Sequence, residues 1–149
     1  MKAGDIAPDF ELPDETGTPR TLRGFLETGP VVLFFYPAAM TKGCTMESCH
    51  FRDLAAEFAE VKANRVGISP DEVAKQQAFS EKHSFDFPLL SDPDGAVATR
   101  FGVRRGFGPM LTRRQTFVID TDRRVLEVVK SEFRMAVHAD RALEVLRKR

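Results

Sequence analysis

The 149-residue sequence has only two cysteines, no tryptophan, no excess of either charge and no long apolar run. Two cysteines cannot build the disulfide framework of a small secreted protein. Lysine and arginine together number 22, as do aspartate and glutamate, and this balance argues against binding nucleic acid or an anionic membrane surface. The longest apolar run, residues 31–36, is far shorter than the ~20 residues that span a bilayer.

The N-terminus and the chain length set further expectations. Asp5 lies close behind the first lysine and no long apolar stretch follows, so we expect no secretory signal and a cytoplasmic protein. A chain of this length, without internal repeats or a flexible linker, is expected to fold as a single domain over residues 1–149. The 13 phenylalanines predict a phenylalanine-rich core.

Strand and helix patterns alternate along the chain. The apolar run at residues 31–36, bounded by prolines, predicts a strand buried on both faces. Apolar residues then recur at helical spacing, which predicts one helix from Gly43 to about Lys62. Further strands are predicted at residues 65–68, 87–90, 115–119 and 125–129, with further helices from Ser69, over 96–101 and from about Ala136.

Turn and capping signals complete the predicted fold. Residues 10–12 and 20–22 flank a run of turn residues, which predicts an N-terminal β-hairpin. Ser69, Pro70 and Glu72 have the spacing of an N-cap, a first helical residue and a capping box. The order of elements predicts a thioredoxin-like α/β fold, with a central mixed β-sheet flanked by helices. A fold of this kind does not by itself define a function.

The two cysteines lie on one predicted helix in different settings. Cys44 falls in its first turn, where unpaired backbone N–H groups and the helix dipole favour a thiolate. Alternatively, Cys44 is a small core side chain, because it shares an apolar stripe with Phe51. Cys49 shares a face with Arg52 and Asp53, which is the predicted solvent side.

Helix geometry limits what the two cysteines can do together. Five residues along an ideal helix separate two Cα atoms by roughly 8.7 Å, whereas a disulfide needs about 7 Å or less. A disulfide between them therefore requires the first turns to unwind, and we expect the reduced form to be fully helical. The spacing rules out a Cys-x-x-Cys motif, and a second cysteine pair for a zinc site is missing. The histidines are expected to be solvated: His50, His83 and His138.

The segment around Cys44 resembles a known active-site motif. Pro37, Thr41 and Cys44 are spaced as Pro-x-x-x-Thr-x-x-Cys, and in this they are similar to the peroxiredoxins. A second cysteine five residues later, Cys49, makes the segment similar to the peroxiredoxin Q branch, also called bacterioferritin comigratory protein. One departure is Lys42, where many members of the family have proline.

A distant segment carries the same resemblance. Residues 114–120, which read RQTFVID, are similar to the Arg-x-Thr/Ser-Phe-x-Ile-Asp strand of the family. The similarity extends from about Asp9 to the final helix, which is nearly the whole chain. The resemblance implies a monomer, sometimes a dimer, and it implies that no metal or organic cofactor is needed.

The resemblance implies a thiol peroxidase that reduces hydrogen peroxide and organic hydroperoxides. The Cys44 thiolate would attack the O–O bond and become a sulfenic acid, with which Cys49 would condense to a disulfide. A thioredoxin-like or other dithiol reductant protein would then restore both thiols by exchange. Two further functions remain open at this point, a thiol–disulfide oxidoreductase and a redox-sensing binding module.

Ionisation of a thiol does not by itself account for a fast peroxidase. Lowering a thiol pKa from ~8.5 to ~6 raises the thiolate fraction at pH 7 about 30-fold, but nucleophilicity falls by roughly 13-fold. Donors aimed at the peroxide oxygens must supply the remaining acceleration. The resemblance assigns that role to Arg114 and Thr41, with Pro37 shaping the pocket.

Two residues are expected to support the candidate site, and one neighbour is expected to lie outside it. Arg113 is expected to point away from Arg114, because side chains alternate along a strand. Glu47, one helical turn after Cys44, either orients an arginine by ion pairing or is a solvated helix charge. Tyr36, which directly precedes the proline of the motif, is a supporting residue.

Overall fold

The computed structural model describes residues 1–105 and 112–149, and its centre is a five-stranded mixed β-sheet. The strands are β1 (Glu11–Pro13), β2 (Pro19–Thr21), β3 (Val31–Phe35), β4 (Asn64–Ser69), β5 (Leu89–Ser91), β6 (Gln115–Ile119) and β7 (Val125–Lys130). The helices are α1 (Leu22–Leu26), α2 (Lys42–Asp53), α3 (Ala55–Glu60), α4 (Val73–His83), α5 (Ala96–Arg100) and α6 (Met135–Arg147). Within the described ranges, no helix has the length and apolar character that crossing a membrane requires.

The sheet has β3 at its centre, in the order β5-β4-β3-β6-β7. β4 runs parallel to both β3 and β5, whereas β6 runs antiparallel to both β3 and β7. β1 and β2 form a separate antiparallel pair near the N-terminus. The predicted central mixed sheet and N-terminal hairpin are therefore confirmed.

Alternation along β3 divides the core into two layers. The side chains of Val31, Leu33 and Phe35 belong to one apolar cluster, which includes residues of α1 and α5. The side chains of Val32 and Phe34 belong to the other, which includes residues of α2, α4 and α6. All five residues of β3 are buried, as its continuous apolar sequence predicted.

The predicted helix over residues 43–62 is two helices, because the chain breaks at Leu54. The backbone of Leu54 has φ −98 and ψ 22, outside the helical range. The Phe51 carbonyl, which would accept from residue 55 in a continuous helix, accepts from Arg65 Nη1 at 2.8 Å. A side chain from β4 thus takes the place of one helical hydrogen bond, and the prediction of a single helix was wrong.

The predicted capping role of Ser69 was also wrong. Ser69 is the last residue of β4 and pairs with Ser91 of β5, while α4 begins only at Val73, with Glu72 as its N-cap residue. The Ser69 hydroxyl is occupied, because it donates to Asp71 Oδ2 at 2.7 Å. Pairing within the sheet has overridden a local capping signal.

Candidate active site

The turn between β3 and α2 presents Cys44 in the first turn of α2. The half-buried Pro37 lies in this turn, and Met40 adopts a left-handed backbone conformation with φ 68. Thr41 is the N-cap residue, but its hydroxyl donates to the Ala38 carbonyl at 2.7 Å. The first N–H groups of a helix have no partner within that helix, so they point toward any group placed at its start.

Cys44 is a free thiol that is fully buried beside a cation. Its residue exposure is 0%, and it belongs to the same apolar cluster as Phe34, Tyr36 and Phe51. Arg114 Nη2 nevertheless donates to Cys44 Sγ at 3.3 Å. Both interpretations of Cys44 therefore hold in part, since the sulfur lies in the core and has a guanidinium within hydrogen-bond distance.

Arg114 reaches Cys44 because β6 runs antiparallel to β3. Gln115 pairs with Phe35, so Arg114 lies at the sheet edge where β3 ends and the turn toward α2 begins. Its backbone N–H donates to Glu132 Oε1 at 2.9 Å, which fixes the start of β6. The neighbouring Arg113 is exposed while Arg114 is buried, as alternation along the strand predicted.

Glu47 is the ion-pair partner of Arg114 and is itself fully buried. Arg114 Nη1 donates to Glu47 Oε1 at 2.7 Å, while Nη2 of the same guanidinium contacts the sulfur of Cys44. The alternative of a solvated helix charge was wrong, because Glu47 has an exposure of 0%. Burial raises the pKa of Glu47 to about 7, and the positive charge of Arg114 opposes that rise.

His138 of α6 lies behind Glu47 and is also fully buried. Its Nδ1 is 2.8 Å from Thr116 Oγ1 and 3.6 Å from Glu47 Oε2, and its Nε2 is 2.8 Å from the Ser131 carbonyl. Burial lowers the pKa of His138 to about 4. The expectation of a solvated histidine was wrong here, since the side chain faces β6.

Two sequence signals could have identified these residues. Thr116 of β6 follows Arg114, the residue just before this strand, by two positions, so both side chains point to the same side of the sheet. His138 precedes the inward-facing Ala142 by four positions, which places it on the buried stripe of α6. The other two histidines, His50 and His83, are half-buried.

A second buried network supports the turn before Cys44. The Tyr36 hydroxyl donates to Gln76 Oε1 at 2.6 Å, and Gln76 Nε2 donates to Ser69 Oγ at 2.9 Å. Asp71 Oδ2 then accepts from Ser69 Oγ at 2.7 Å and from the Ala39 backbone N–H at 2.6 Å. The network connects two points of the turn, and of its side chains the sequence indicated only Tyr36 as part of the site.

Cys49 lies near the middle of α2 as a free, half-buried thiol. The prediction that Cys49 faces solvent is therefore only partly correct. Burial raises the pKa of the Cys49 thiol, and the positive charge of Arg52 opposes the rise. The next residue, His50, connects α2 to α6 through a 2.8 Å contact between its Nε2 and Asp140 Oδ1. Because α2 includes both cysteines without a break, their Cα atoms are too far apart for a disulfide.

Gly43 allows the close approach of Arg114 to the start of α2. A Cβ atom at this position would lie 3.0 Å from Met135 Cε and 3.2 Å from Arg114 Nη2. Met135 also lines a groove of about 420 Å³ on the surface of the molecule. The groove includes Met46 and Phe133, whose exposures are 55% and 91%.

The fold and the site together define a class of protein. A cysteine in the first turn of a helix, after a central strand, can act as a nucleophile when its thiolate is stabilised. The Arg114 guanidinium is positioned to stabilise both that thiolate and negative charge developing on a bound substrate. The class is that of thiol-dependent enzymes in which a cysteine performs the chemistry.

Comparison with known proteins assigns the family. The AhpC/TSA family profile matches residues 3–128. The crystal structure of peroxidoxin BcpB from Mycobacterium tuberculosis is 65% identical and has a TM-score of 0.96, covering 99% of this chain and 97% of that one. Peroxiredoxin Bcp of Escherichia coli K12 is 39% identical, covering 99% of this chain and 96% of its own. The chain therefore belongs to the AhpC/TSA family, as a peroxiredoxin of the Q/Bcp type.

A further solved structure comes from a protein described with a peroxide chemistry. The bacterioferritin comigratory protein of Xanthomonas campestris, described with its alkyl peroxide reduction activity, is 33% identical with a TM-score of 0.85. The alignment covers 93% of this chain and 90% of that protein. The predictions of a thioredoxin-like fold and of a thiol-dependent peroxidase are confirmed.

Proposed function

We propose that the protein reduces hydroperoxides with Cys44 as the attacking thiolate and Cys49 as the resolving thiol. The observation that carries this assignment is the 3.3 Å contact between Arg114 Nη2 and the Cys44 sulfur. Arginine keeps its charge at any physiological pH, so it can stabilise negative charge on the attacking sulfur and on the peroxide oxygens. Cys49 is half-buried, and burial raises the pKa of its thiol while Arg52 opposes that rise, which suits a second, slower thiol.

The reaction proceeds in three balanced steps. The Cys44 thiolate attacks one peroxide oxygen and breaks the O–O bond, and the alkoxide that leaves takes up a proton to become an alcohol or water. The Cys49 thiol then attacks the sulfenic sulfur, which forms the Cys44–Cys49 disulfide and releases water. A dithiol protein finally reduces this disulfide by thiol–disulfide exchange and is itself oxidised to a disulfide.

Preorganised donors supply the acceleration that ionisation alone lacks. Arg114 offers a rigid fork whose Nη2 already lies beside the sulfur, where the peroxide oxygens become negative. The Thr41 hydroxyl gives its hydrogen to the Ala38 carbonyl, so its oxygen lone pairs are available to accept the proton of the peroxide. Pro37 lies in the same turn and limits the access of water.

The apolar groove beside α6 suits the organic part of an alkyl hydroperoxide. It lies next to Met135, which packs against Gly43 in the first turn of α2. The exposed Met46 and Phe133 offer apolar surface to an alkyl or aryl group. We therefore include organic hydroperoxides as well as hydrogen peroxide among the substrates.

The proposal extends to the setting of the enzyme. We propose a thioredoxin-like dithiol protein as reductant, because the Cys44–Cys49 disulfide would be exposed once α2 unwinds. A cytoplasmic location follows from the two free thiols, which a reducing compartment preserves. We further propose that residues 1–149 fold as a single domain, since both apolar clusters share one sheet. We also propose that the protein acts as a monomer and sometimes as a dimer.

Single-turnover oxidation of cysteine variants tests the assignment. Cys44→Ser is expected to abolish consumption of hydrogen peroxide and of cumene hydroperoxide. Cys49→Ser is expected to consume one equivalent at the wild-type rate and then stop, because no disulfide is available to the dithiol reductant. Mass spectrometry should locate the sulfenic acid at residue 44. Ordinary turnover in Cys44→Ser would contradict the proposal, as would insulin reduction by the wild type without peroxide.

A further inference from the structure

The turn between β3 and α2 contains one residue in a strained backbone conformation. Met40 has φ 68, in the left-handed region that residues other than glycine rarely adopt. Such a conformation persists only when contacts of the surrounding structure hold it. The Met40 side chain is exposed, so the contacts that hold this turn are to be found at the neighbouring residues.

One peptide group just before this residue is held on both of its sides. Its N–H, which belongs to the buried Ala39, donates to Asp71 Oδ2 at 2.6 Å, and hydrogen bonds to a carboxylate are among the strong ones. Its carbonyl, which belongs to Ala38, accepts from the Thr41 hydroxyl at 2.7 Å. Because a peptide group is planar, the direction of the N–H sets the direction of the carbonyl.

The Asp71 carboxyl group is itself held in place, from the loop between β4 and α4. Its Oδ2 also accepts from the Ser69 hydroxyl at 2.7 Å. The Ser69 oxygen in turn accepts from the Asp71 N–H at 3.2 Å and from Gln76 Nε2 at 2.9 Å, so the hydroxyl uses its one hydrogen and both lone pairs. The Gln76 amide cannot be reversed, because Nε2 also donates to the Leu90 carbonyl at 2.8 Å. A buried network whose members are all satisfied is rigid, so Asp71 has little freedom to move.

We propose that Asp71 is a positioning residue for the peroxide reaction, because its carboxylate fixes the peptide group that orients the Thr41 hydroxyl. With the Ala38 carbonyl held toward Thr41, the hydroxyl hydrogen is engaged there, and the oxygen lone pairs are left for the proton of the peroxide. If this peptide group rotated, the hydroxyl hydrogen would lose its acceptor and would be free to point at the peroxide instead. The inference rests on the function proposed above, since it concerns the rate at which Cys44 is oxidised.

Polarisation of the peptide group adds to this geometric effect. A carboxylate that accepts on one side of a peptide group strengthens the hydrogen bond that the carbonyl accepts on the other side. The hydrogen bonds from Asp71 through the peptide group to Thr41 therefore form one chain, which ends at the oxygen assigned to the peroxide proton. Asp71 acts through this chain, so its effect on the rate should depend on the Thr41 hydroxyl.

Stopped-flow oxidation of the reduced protein by hydrogen peroxide tests the proposal with three substitutions of Asp71. Asp71→Ala removes the acceptor of the Ala39 N–H, and we expect the second-order rate constant to fall about tenfold, less than the loss of a group that contacts the substrate would cost. Asp71→Asn keeps a carbonyl oxygen for that N–H, so it should stay within about threefold of wild type. Asp71→Glu keeps the charge but displaces it by one methylene, and its rate should fall roughly fivefold.

Lys75→Met is the matched control. Lys75 Nζ lies 3.5 Å from Asp71 Oδ1, whereas Oδ2 is the oxygen that holds the turn. Its half-exposed ion pair contributes little, so the oxidation rate of Lys75→Met should equal that of wild type. An Asp71→Glu rate equal to or above that of Asp71→Asn would overturn the proposal, because charge alone would then be sufficient. This comparison decides the question even if Asp71→Ala does not fold.

A double-mutant cycle separates the positioning of Thr41 from a general loosening of the turn. Thr41→Val removes the hydroxyl, and in that background Asp71→Glu should cost less than about a further twofold. Losses that multiply would show that Asp71 supports the turn as a whole, and they would overturn the proposal. Failure of the proposed function is distinguishable, because it would appear as peroxide consumption by Cys44→Ser.

Discussion

One guanidinium makes two different contacts at the centre of this site. Nη1 of Arg114 is held by a buried carboxyl group, and Nη2 donates to the sulfur of Cys44. A buried ion pair alone contributes little net stability, because desolvation of both groups offsets their attraction. In the proposed function, the pair fixes the direction of one hydrogen-bond donor before the peroxide arrives.

Replacing Arg114 by lysine tests direction separately from charge. Arg114→Lys keeps a cation opposite Glu47 but loses the fork that reaches both the carboxyl group and the sulfur. We expect the second-order rate of peroxide reduction to fall at least tenfold, since removal of one preorganised donor typically costs ~10²–10³. Stopped-flow measurement of the first oxidation step isolates this effect from recycling.

The matched control for this substitution is the neighbouring arginine. Arg113 is exposed on the opposite side of the chain, so Arg113→Lys and Arg113→Ala should leave the rate within about twofold of wild type. Equal losses of rate on substitution of residues 113 and 114 would show that only the overall positive charge matters. The two directed N–H donors of the Arg114 guanidinium would then have no special role.

Local sequence could identify the candidate reacting residues but not how their side chains are held. Cys44 and Arg114 stand in motifs, and helix and strand periodicity located both of them correctly. The state of Glu47 depends on a partner 67 positions away in the chain, so its helix pattern fits a solvated charge equally well. His138 was misjudged for the same reason, because its surroundings come from β6 and α2 rather than from its own helix.

At the scale of elements, the two halves of α2 are held differently. Three contacts of 2.8 Å hold its C-terminal half: Arg65 Nη1 with the Phe51 carbonyl, Arg52 Nη1 with the His83 carbonyl, and His50 Nε2 with Asp140 Oδ1. The N-terminal half is held through Arg114, by its contacts with Cys44 and Glu47. Oxidation of the Cys44 sulfur changes the contacts of the N-terminal half directly and leaves the three contacts of the C-terminal half in place.

We therefore predict that the Cys44–Cys49 disulfide unwinds only the N-terminal half of α2. Amide hydrogen exchange at residues 45–49 should be at least tenfold faster in the disulfide form than in the reduced form, because local opening exposes these N–H groups. Exchange at residues 52–60 should be the same in both forms. Exchange–mass spectrometry on the two redox states measures this directly. Faster exchange throughout α2 and α3 would show that the three C-terminal contacts do not anchor the helix.

The helices and strands also differ in how far the sequence could predict them. β3 and the hairpin of β6 and β7 follow from apolar runs and turn residues that act locally. The division into α2 and α3 could not be predicted, because Arg65 of β4 takes the Phe51 carbonyl only after the chain has folded. Ser69 likewise has the sequence of a helix cap, but pairing with Ser91 keeps it in β4.

For the whole molecule, Glu47 and His138 connect the site to the pH dependence of stability. Burial raises the pKa of Glu47 from 4.5 to about 7 and lowers the pKa of His138 from 6.5 to about 4. Between pH 4.5 and 6.5 the folded pair therefore holds one proton, on Glu47, and the unfolded pair also holds one, on His138. Stability depends on pH only where the two states bind different numbers of protons, so the contributions of the two residues cancel in this range.

Single substitutions should reveal the two opposing contributions. In Glu47→Gln only His138 remains, and its lowered pKa makes the unfolded state bind the extra proton, so stability should rise with pH between about 4 and 6.5. A pKa difference of about 2.5 corresponds to about 3 kcal/mol for this fully buried ring. In His138→Phe only Glu47 remains, and stability should fall by a similar amount as pH rises from 4.5 to about 7. Urea unfolding of the reduced proteins across this range measures the free energy of unfolding, and the difference of each variant from wild type removes the contribution of all other groups. If the free energy of unfolding changes with pH in both variants as it does in wild type, neither residue changes its pKa on folding. If the two variants depart from wild type in opposite directions, the pair holds one proton in both the folded and the unfolded state.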